Sequence, residues 1–287
     1  MLLSPTNILC PVDLSPVSGA VLKWAGLFAS TFQAPLEVFY ADWWEPPRYF
    51  TEAQIEQLSL QEQEAEKALR SELEALAKSS LGDLGNYSVN VVEGYPAERI
   101  LERAKELTTG LIVMGSHGRT GMARLRMGSV AEDVVRASRC PVMIAKPAKD
   151  SAPTPSVKNI LCPVDFTSLA RQSLEISAQL ANAFDAKLWV AHATSHEEKL
   201  DEVQQRVSDW VPQAVRGRCE VSEVVRWGNP AEQIVLMARE HSADIIVMGA
   251  QHRPFLEFTT LGTTIERVMR HGLTSVLAIP ETKTDRK

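Results

Sequence analysis

No apolar run in the chain reaches the roughly eighteen residues that a membrane-spanning helix needs. Cysteine is scarce: Cys10, Cys140, Cys162 and Cys219 make no CxxC pair, and three of them stand in apolar, strand-like runs. That disfavours a disulfide framework and a zinc site, and leads us to expect free thiols in a reducing cytoplasm. A basic surplus is also missing. With a net charge of −6 and a pI near 5.6, the chain is no general nucleic-acid or anionic-membrane binder. Met1 to Cys10 carries no basic region and runs straight into a strand, so a secretory signal is not expected there. Absent too are a Walker A Gly-Lys-Ser/Thr, a GxGxxG after the first strand, and a GxSxG nucleophile turn. What remains is ordinary globular composition, 45% hydrophobic and 23% charged, over 287 residues, enough for two domains each with its own core.

The chain is written twice. Asn7-Ile8-Leu9-Cys10-Pro11-Val12-Asp13 returns as Asn159-Ile160-Leu161-Cys162-Pro163-Val164-Asp165. Gly94-Tyr95-Pro96-Ala97-Glu98 returns as Gly228-Asn229-Pro230-Ala231-Glu232, and Leu111-Ile112-Val113-Met114-Gly115 as Ile245-Ile246-Val247-Met248-Gly249. The first block recurs 152 positions on and the other two 134 on, so the first copy carries 18 extra residues before Gly94. We expect domains at 1–148 and 156–282, joined by a polar, proline-containing linker at 149–155.

Within the first copy, strands are expected near Ile8–Val12, Leu36–Tyr40, Tyr87–Val92, Leu111–Met114 and Val142–Ala145. Helices fall between them near Pro16–Phe32, Thr51–Lys78, Ala97–Leu107 and Ser129–Ser138, with Ser15 read as an N-cap and Pro16 as the first helical residue. The strands are nearly continuous in Val, Ile and Leu, the mark of burial on both faces. Alternation of such strands with helices predicts an α/β fold, a doubly wound parallel sheet with right-handed crossovers, in each half.

Ligands of such sheets bind beyond the carboxyl ends of strands where the winding reverses. The first strand ends in Pro11-Val12-Asp13. The fourth runs into Gly115-Ser116-His117-Gly118-Arg119-Thr120-Gly121 and on to Gly128-Ser129, where a helix begins. Three glycines allow close backbone approach, and the following helix offers free N–H groups and its positive end. Between Gly115 and Ser129 stand three arginines and no acid, which is anion-binding chemistry in an acidic chain.

Gly115-x-x-Gly118, nine residues, then Gly128-Ser129 resembles the ATP-binding signature of the universal stress protein family. Ile8 to Asp13 and Ser138-Arg139-Cys140-Pro141-Val142 resemble that family's first and last strands, and the likeness covers nearly the whole chain, twice. It implies two tandem domains, each a five-stranded parallel sheet in the order 3-2-1-4-5, of the adenine-nucleotide α-hydrolase-like type. Pro11 and Asp13 would flank adenine and ribose, and Ala41 would line the base. Gly115, Ser116, His117, Gly118 and Arg119 would wrap the phosphates, and Gly128, Ser129 and Val130 would close the site. Three alternatives stay open: Asp13 as a carboxylate serving nearby turn amides, His117 as a solvated loop residue, and Arg124 and Arg126 as exposed charges.

The second copy departs at this loop. His252 replaces the second glycine, and Pro254, Phe255, Phe258 and Glu257 leave one arginine against one carboxylate. We expect that half to be weak or empty for ATP. The first copy also carries four aromatics in Trp43-Trp44-Glu45-Pro46-Pro47-Arg48-Tyr49-Phe50, which could cover the base, face the second domain or meet a partner; plain packing within the chain is the simplest account. The functional expectation is a cytoplasmic stress-response regulator that holds ATP, with or without Mg, and has little or no catalysis. It would form an intrachain pair of domains, with a homodimer and an unidentified protein partner allowed, and bind neither nucleic acid nor membrane. The alternatives are a slow ATPase or phosphotransferase using His117 or Ser129, and an interaction module indifferent to nucleotide.

Overall fold

The computed structural model describes residues 3, 5–43, 52–116, 127–147, 154–194, 199–250, 252–255 and 258–281, with 52–65, 252–255 and 258–261 described by backbone alone. The first half runs β1 (Ile8–Pro11), α1 (Ser18–Phe32), β2 (Leu36–Asp42), α2 (Glu52–Leu81), β3 (Tyr87–Glu93), α3 (Pro96–Glu106), β4 (Leu111–Gly115), α4 (Ser129–Ala137) and β5 (Val142–Ala145). The second runs β6 (Asn159–Pro163), α5 (Ser168–Phe184), β7 (Lys187–Thr194), α6 (Leu200–Trp210), α7 (Gln213–Arg216), β8 (Val221–Trp227), α8 (Pro230–Glu240), β9 (Ile245–Ala250), β10 (His252–Phe255), β11 (Phe258–Leu261), α9 (Thr263–His271) and β12 (Ser275–Pro280).

The strand order is β3-β2-β1-β4-β5 in the first half and β12-β9-β6-β7-β8 in the second, parallel within each and joined into one ten-stranded sheet. In the order of each half's own strands, both are the 3-2-1-4-5 arrangement. Helices α1, α2, α5 and α6 cover one face over one core, and α3, α4, α8 and α9 cover the other over a second. Central strands β1, β4 and β9 are therefore buried along nearly their whole length, while the outermost strands β3 and β8 are half-buried.

The join is antiparallel, with Val276 opposite Ile144, Leu277 opposite Met143 and Ala278 opposite Val142. Met143 and Leu277 are related by the same 134-residue offset as Gly94 and Gly228, so equivalent residues face each other and the pseudo-twofold axis passes between them. Each half thereby covers the other's last strand, which would otherwise present unpaired N–H and C=O groups at an edge. Side chains reinforce the pairing. Phe28 and Phe32 of α1 meet Phe184 of α5 edge-to-face, with centroids 5.5 and 6.3 Å apart. The Lys146 amide donates to Ser275 Oγ at 3.0 Å, and its ammonium donates to the Met269 carbonyl at 3.2 Å.

Two features differ from the sequence expectation, the start of α1 and the loop after β9, while α2 falls where a helix was expected. Helix α1 starts at Ser18 behind Val17, not at Pro16 behind Ser15. The cause is Asp13, whose Oδ1 accepts the Ser15 N–H at 3.1 Å and the Ser18 hydroxyl at 3.0 Å, holding Ser15 in a turn. The extra length of the first copy lies largely in α2, a 30-residue helix where the second copy has α6 of 11 residues and α7 of 4. Finally, β10 and β11 form an antiparallel hairpin in the second copy's loop, with His252 opposite Leu261 and Phe255 opposite Phe258.

Candidate functional site

Beyond the carboxyl ends of β1 and β4 lies a cleft of about 410 Å³. Its floor follows from strand order, because β1 and β4 are neighbours and their following segments diverge to opposite faces of the sheet. Pro11 and Asp13 line it from β1, Ala41 from β2, Gly115 and Ser116 from β4, and Gly128, Ser129 and Val130 from the start of α4. The structure thus brings together eight of the eleven residues singled out from sequence. The other three, His117, Gly118 and Arg119, lie outside the described residues, as do Arg124 and Arg126.

Asp13 is positioned by a bend immediately after it. Leu14 has φ of 58°, and Phe166 in the second copy has φ of 64°, so both copies use a left-handed residue to turn the chain out of the first strand. One carboxylate oxygen, Oδ1, serves the turn. The other, Oδ2, is buried with no hydrogen-bond partner among the described residues. The turn-amide role left open for Asp13 is therefore real for one oxygen and leaves the second available. On the opposite wall, the Gly128 N–H donates to the Ser116 carbonyl at 2.8 Å and clamps together the two ends of the loop between them. Ser116 is buried, and α4 is led by Gly128, which has no side chain to cap the first-turn N–H groups.

The cleft is also lined by Ser18, Tyr40, Asp42 and Pro96, which the sequence did not single out as site residues, and by Trp43, the first residue of the aromatic segment for which covering the base was one expected role. Trp43 stands 56% exposed at the rim, its ring edge-to-face with Tyr95 at 5.4 Å. A signal was present: within the repeated Gly-x-Pro-Ala-Glu block, Tyr95 replaces what is Asn229 in the copy.

The second half has a cleft in the equivalent place, smaller at about 270 Å³, lined by Pro163, Asp165, Ala193, Gly249, Gly262 and Thr263 among others. His192 occupies the position of Tyr40 and gives its Nδ1–H to the Val164 carbonyl at 2.8 Å, with Phe166 4.7 Å from its ring. Asp165 Oδ1 accepts both the amide (3.2 Å) and the hydroxyl (2.6 Å) of Thr167. The loop that follows β9 is folded into the β10–β11 hairpin, which commits backbone groups to a ladder.

The sequence profile of the universal stress protein family matches residues 5–146 and again 156–280. The chain belongs to the universal stress protein family. A universal stress protein of Mycobacterium tuberculosis is 25% identical over 292 aligned positions, covering 94% of this chain and 96% of that protein. One from Methanocaldococcus jannaschii is 34% identical over 146 positions, half of this chain and 83% of the relative. Among solved structures, a universal stress protein of Archaeoglobus fulgidus superposes with a TM-score of 0.72 over 99% of both chains at 21% identity, a likeness of fold. Among the described residues no helix is long and apolar enough to cross a membrane, and no three His, Cys, Asp or Glu side chains converge as a metal site.

Proposed function

We propose that this stress protein holds one ATP per chain, in the first-half cleft, and acts as a regulator that retains nucleotide without rapid turnover. The observation that carries this reading is Asp13: a carboxylate oxygen buried in the cleft without a partner would be satisfied by the donor hydroxyls of a ribose. The rest of the cleft has matching chemistry. Ala41 and Pro11 offer apolar contact for a base, while Gly115 lets a ligand approach the backbone closely and the first turn of α4 beyond Gly128 offers backbone N–H groups for phosphates. Gly118 and Arg119, placed by sequence in the same loop, would bring close backbone approach and positive charge. Mg²⁺ accompanying the phosphates would be carried on them, and titrations with and without it separate the two modes of holding.

The second half supports no such reading. Its cleft is smaller, His192 lines it where the first copy has Tyr40, and the β10–β11 hairpin follows β9. The test is whether adenine nucleotide copurifies with the protein, read by absorbance and mass, and whether phosphate is then released. Retention without release is expected. Steady phosphate release would favour a slow ATPase, and a protein free of nucleotide that takes up none would leave an interaction module.

A further inference from the structure

We propose that Trp43 and Tyr95 form an aromatic lip for the nucleobase, with Trp43 stacking on the base and Tyr95 holding Trp43 in place; this rests on the first-half cleft being a nucleotide site. Trp43 lines that cleft and is more than half exposed, so its ring is accessible from solvent at the rim. Its position is fixed from both sides. Asp42 pairs with Glu93 in the β2–β3 ladder, and the Gly94 N–H donates to the Asp42 carbonyl at 2.8 Å, so the backbone leading into Trp43 is anchored. Tyr95 packs partly buried against the core beneath α3 and meets the indole at 87°. In an edge-to-face pair the rings share one contact only, which leaves an aromatic face available to a flat ligand.

The second copy supplies the control. There the helix-capping position belongs to Asn229, whose side chain accepts the N–H groups of Ala231 at 3.1 Å and Glu232 at 3.4 Å. Tyr95 fills the same position, at the same backbone angles and behind a glycine of the same φ of 129°, and makes no cap hydrogen bond. Asparagine is among the best N-cap residues and tyrosine is not. The first half therefore forgoes a cap to place an aromatic ring against Trp43, and the residue that corresponds to Trp43 is Ser195. Both members of the pair are confined to the half with the larger cleft. A local rule broken beside a cleft is characteristic of a functional site.

The test uses the full chain and its variants Trp43→Ala, Trp43→Phe and Tyr95→Asn, titrated calorimetrically with ATP and with inorganic tripolyphosphate. Base–aromatic stacking predicts that Trp43→Ala weakens ATP about tenfold or more and leaves tripolyphosphate unchanged, while Trp43→Phe keeps most of the affinity. Tyr95→Asn is expected to weaken ATP while holding or raising the melting temperature, because it restores the cap. A protein damaged in folding would instead lose both ligands and melt earlier. ATP affinity within twofold of the parent in Trp43→Ala, or equal losses for ATP and tripolyphosphate, would overturn the lip alone. Failure of the parent chain to bind ATP would overturn the nucleotide site and the lip with it.

Discussion

Replacing Asp13 with Asn separates its two oxygens, because the fold uses one and the ligand would use the other. The Ser15 amide and the Ser18 hydroxyl donate to Oδ1 at 3.1 and 3.0 Å, so the amide oxygen of the variant takes that side and the NH₂ group takes the place of Oδ2. Both turn hydrogen bonds survive but lose their charge assistance, for a stability change of about 1 kcal/mol or less. At Oδ2 an acceptor becomes a donor. A charge-assisted bond to a ribose hydroxyl is worth about 1.5–3 kcal/mol, so ATP affinity should fall roughly 10- to 150-fold. The sign is diagnostic, because removing a negative charge relieves repulsion of the phosphates and by itself would strengthen binding. Inorganic tripolyphosphate, which lacks a ribose, should bind as well as before or slightly better. Asp13→Ala is the companion: it strips Oδ1 as well, leaves two donors unmatched and should lose a further 1–3 kcal/mol or so of stability. Calorimetric titration and thermal melting read the two effects separately. An Asp13→Asn protein that binds ATP like the parent would show that Oδ2 has no ligand to hold, and would refute the assignment.

Phe28→Ala, which empties a fully buried position between α1 and α5, should cost about 3–5 kcal/mol and still leave a single unfolding transition in denaturant, since one sheet runs through both halves; two resolved transitions would contradict the fused sheet. Glu37 is buried and held by a two-pronged ion pair from Arg103, both contacts at 2.8 Å, plus Asn90 at 3.1 Å, so Arg103→Ala should cost about 3 kcal/mol by stranding the carboxylate, measured by urea melts, and a loss below about 1 would show it has other support. Burial pushes the Cys162 thiol up to about 12 and raises that of Cys10 further still, so native protein should expose at most Cys140 and Cys219 to a thiol reagent at pH 8. The raised values also fix a pH trend. The folded state disfavours these thiolates, so their contribution to stability is full below the ordinary value of 9.0 and declines as pH rises above it, which alkaline melts would show.

The strands and the duplication were legible because burial on both faces writes itself as unbroken Val, Ile and Leu, as in Leu111–Val113, and because the blocks recur in the same sequence in both halves. The strand order was implied only by the resemblance to the family. The site was legible where backbone chemistry demands it, at Asp13, Gly115 and Gly128. Other features depend on partners distant in sequence. Ser15 followed by Pro16 looks like a helix start, but the Asp13 carboxylate captures the Ser15 N–H and delays the helix to Ser18. The β10–β11 hairpin was hidden because His252 and Pro254 were weighed as losses to a phosphate loop and not as members of a new strand pair. The contact of Trp43 with Tyr95 needed the register of β2 with β3, which sets the two side by side.

The proposed function makes the two copies of one fold unequal, with nucleotide in the first alone. Calorimetric titration of the intact chain with ATP measures that inequality most directly. One ATP per chain is expected, with binding weakened by Asp13→Asn and unaffected by Asp165→Asn in the second cleft. Two equivalent sites per chain, or a single site abolished by Asp165→Asn and indifferent to Asp13→Asn, would contradict the proposal.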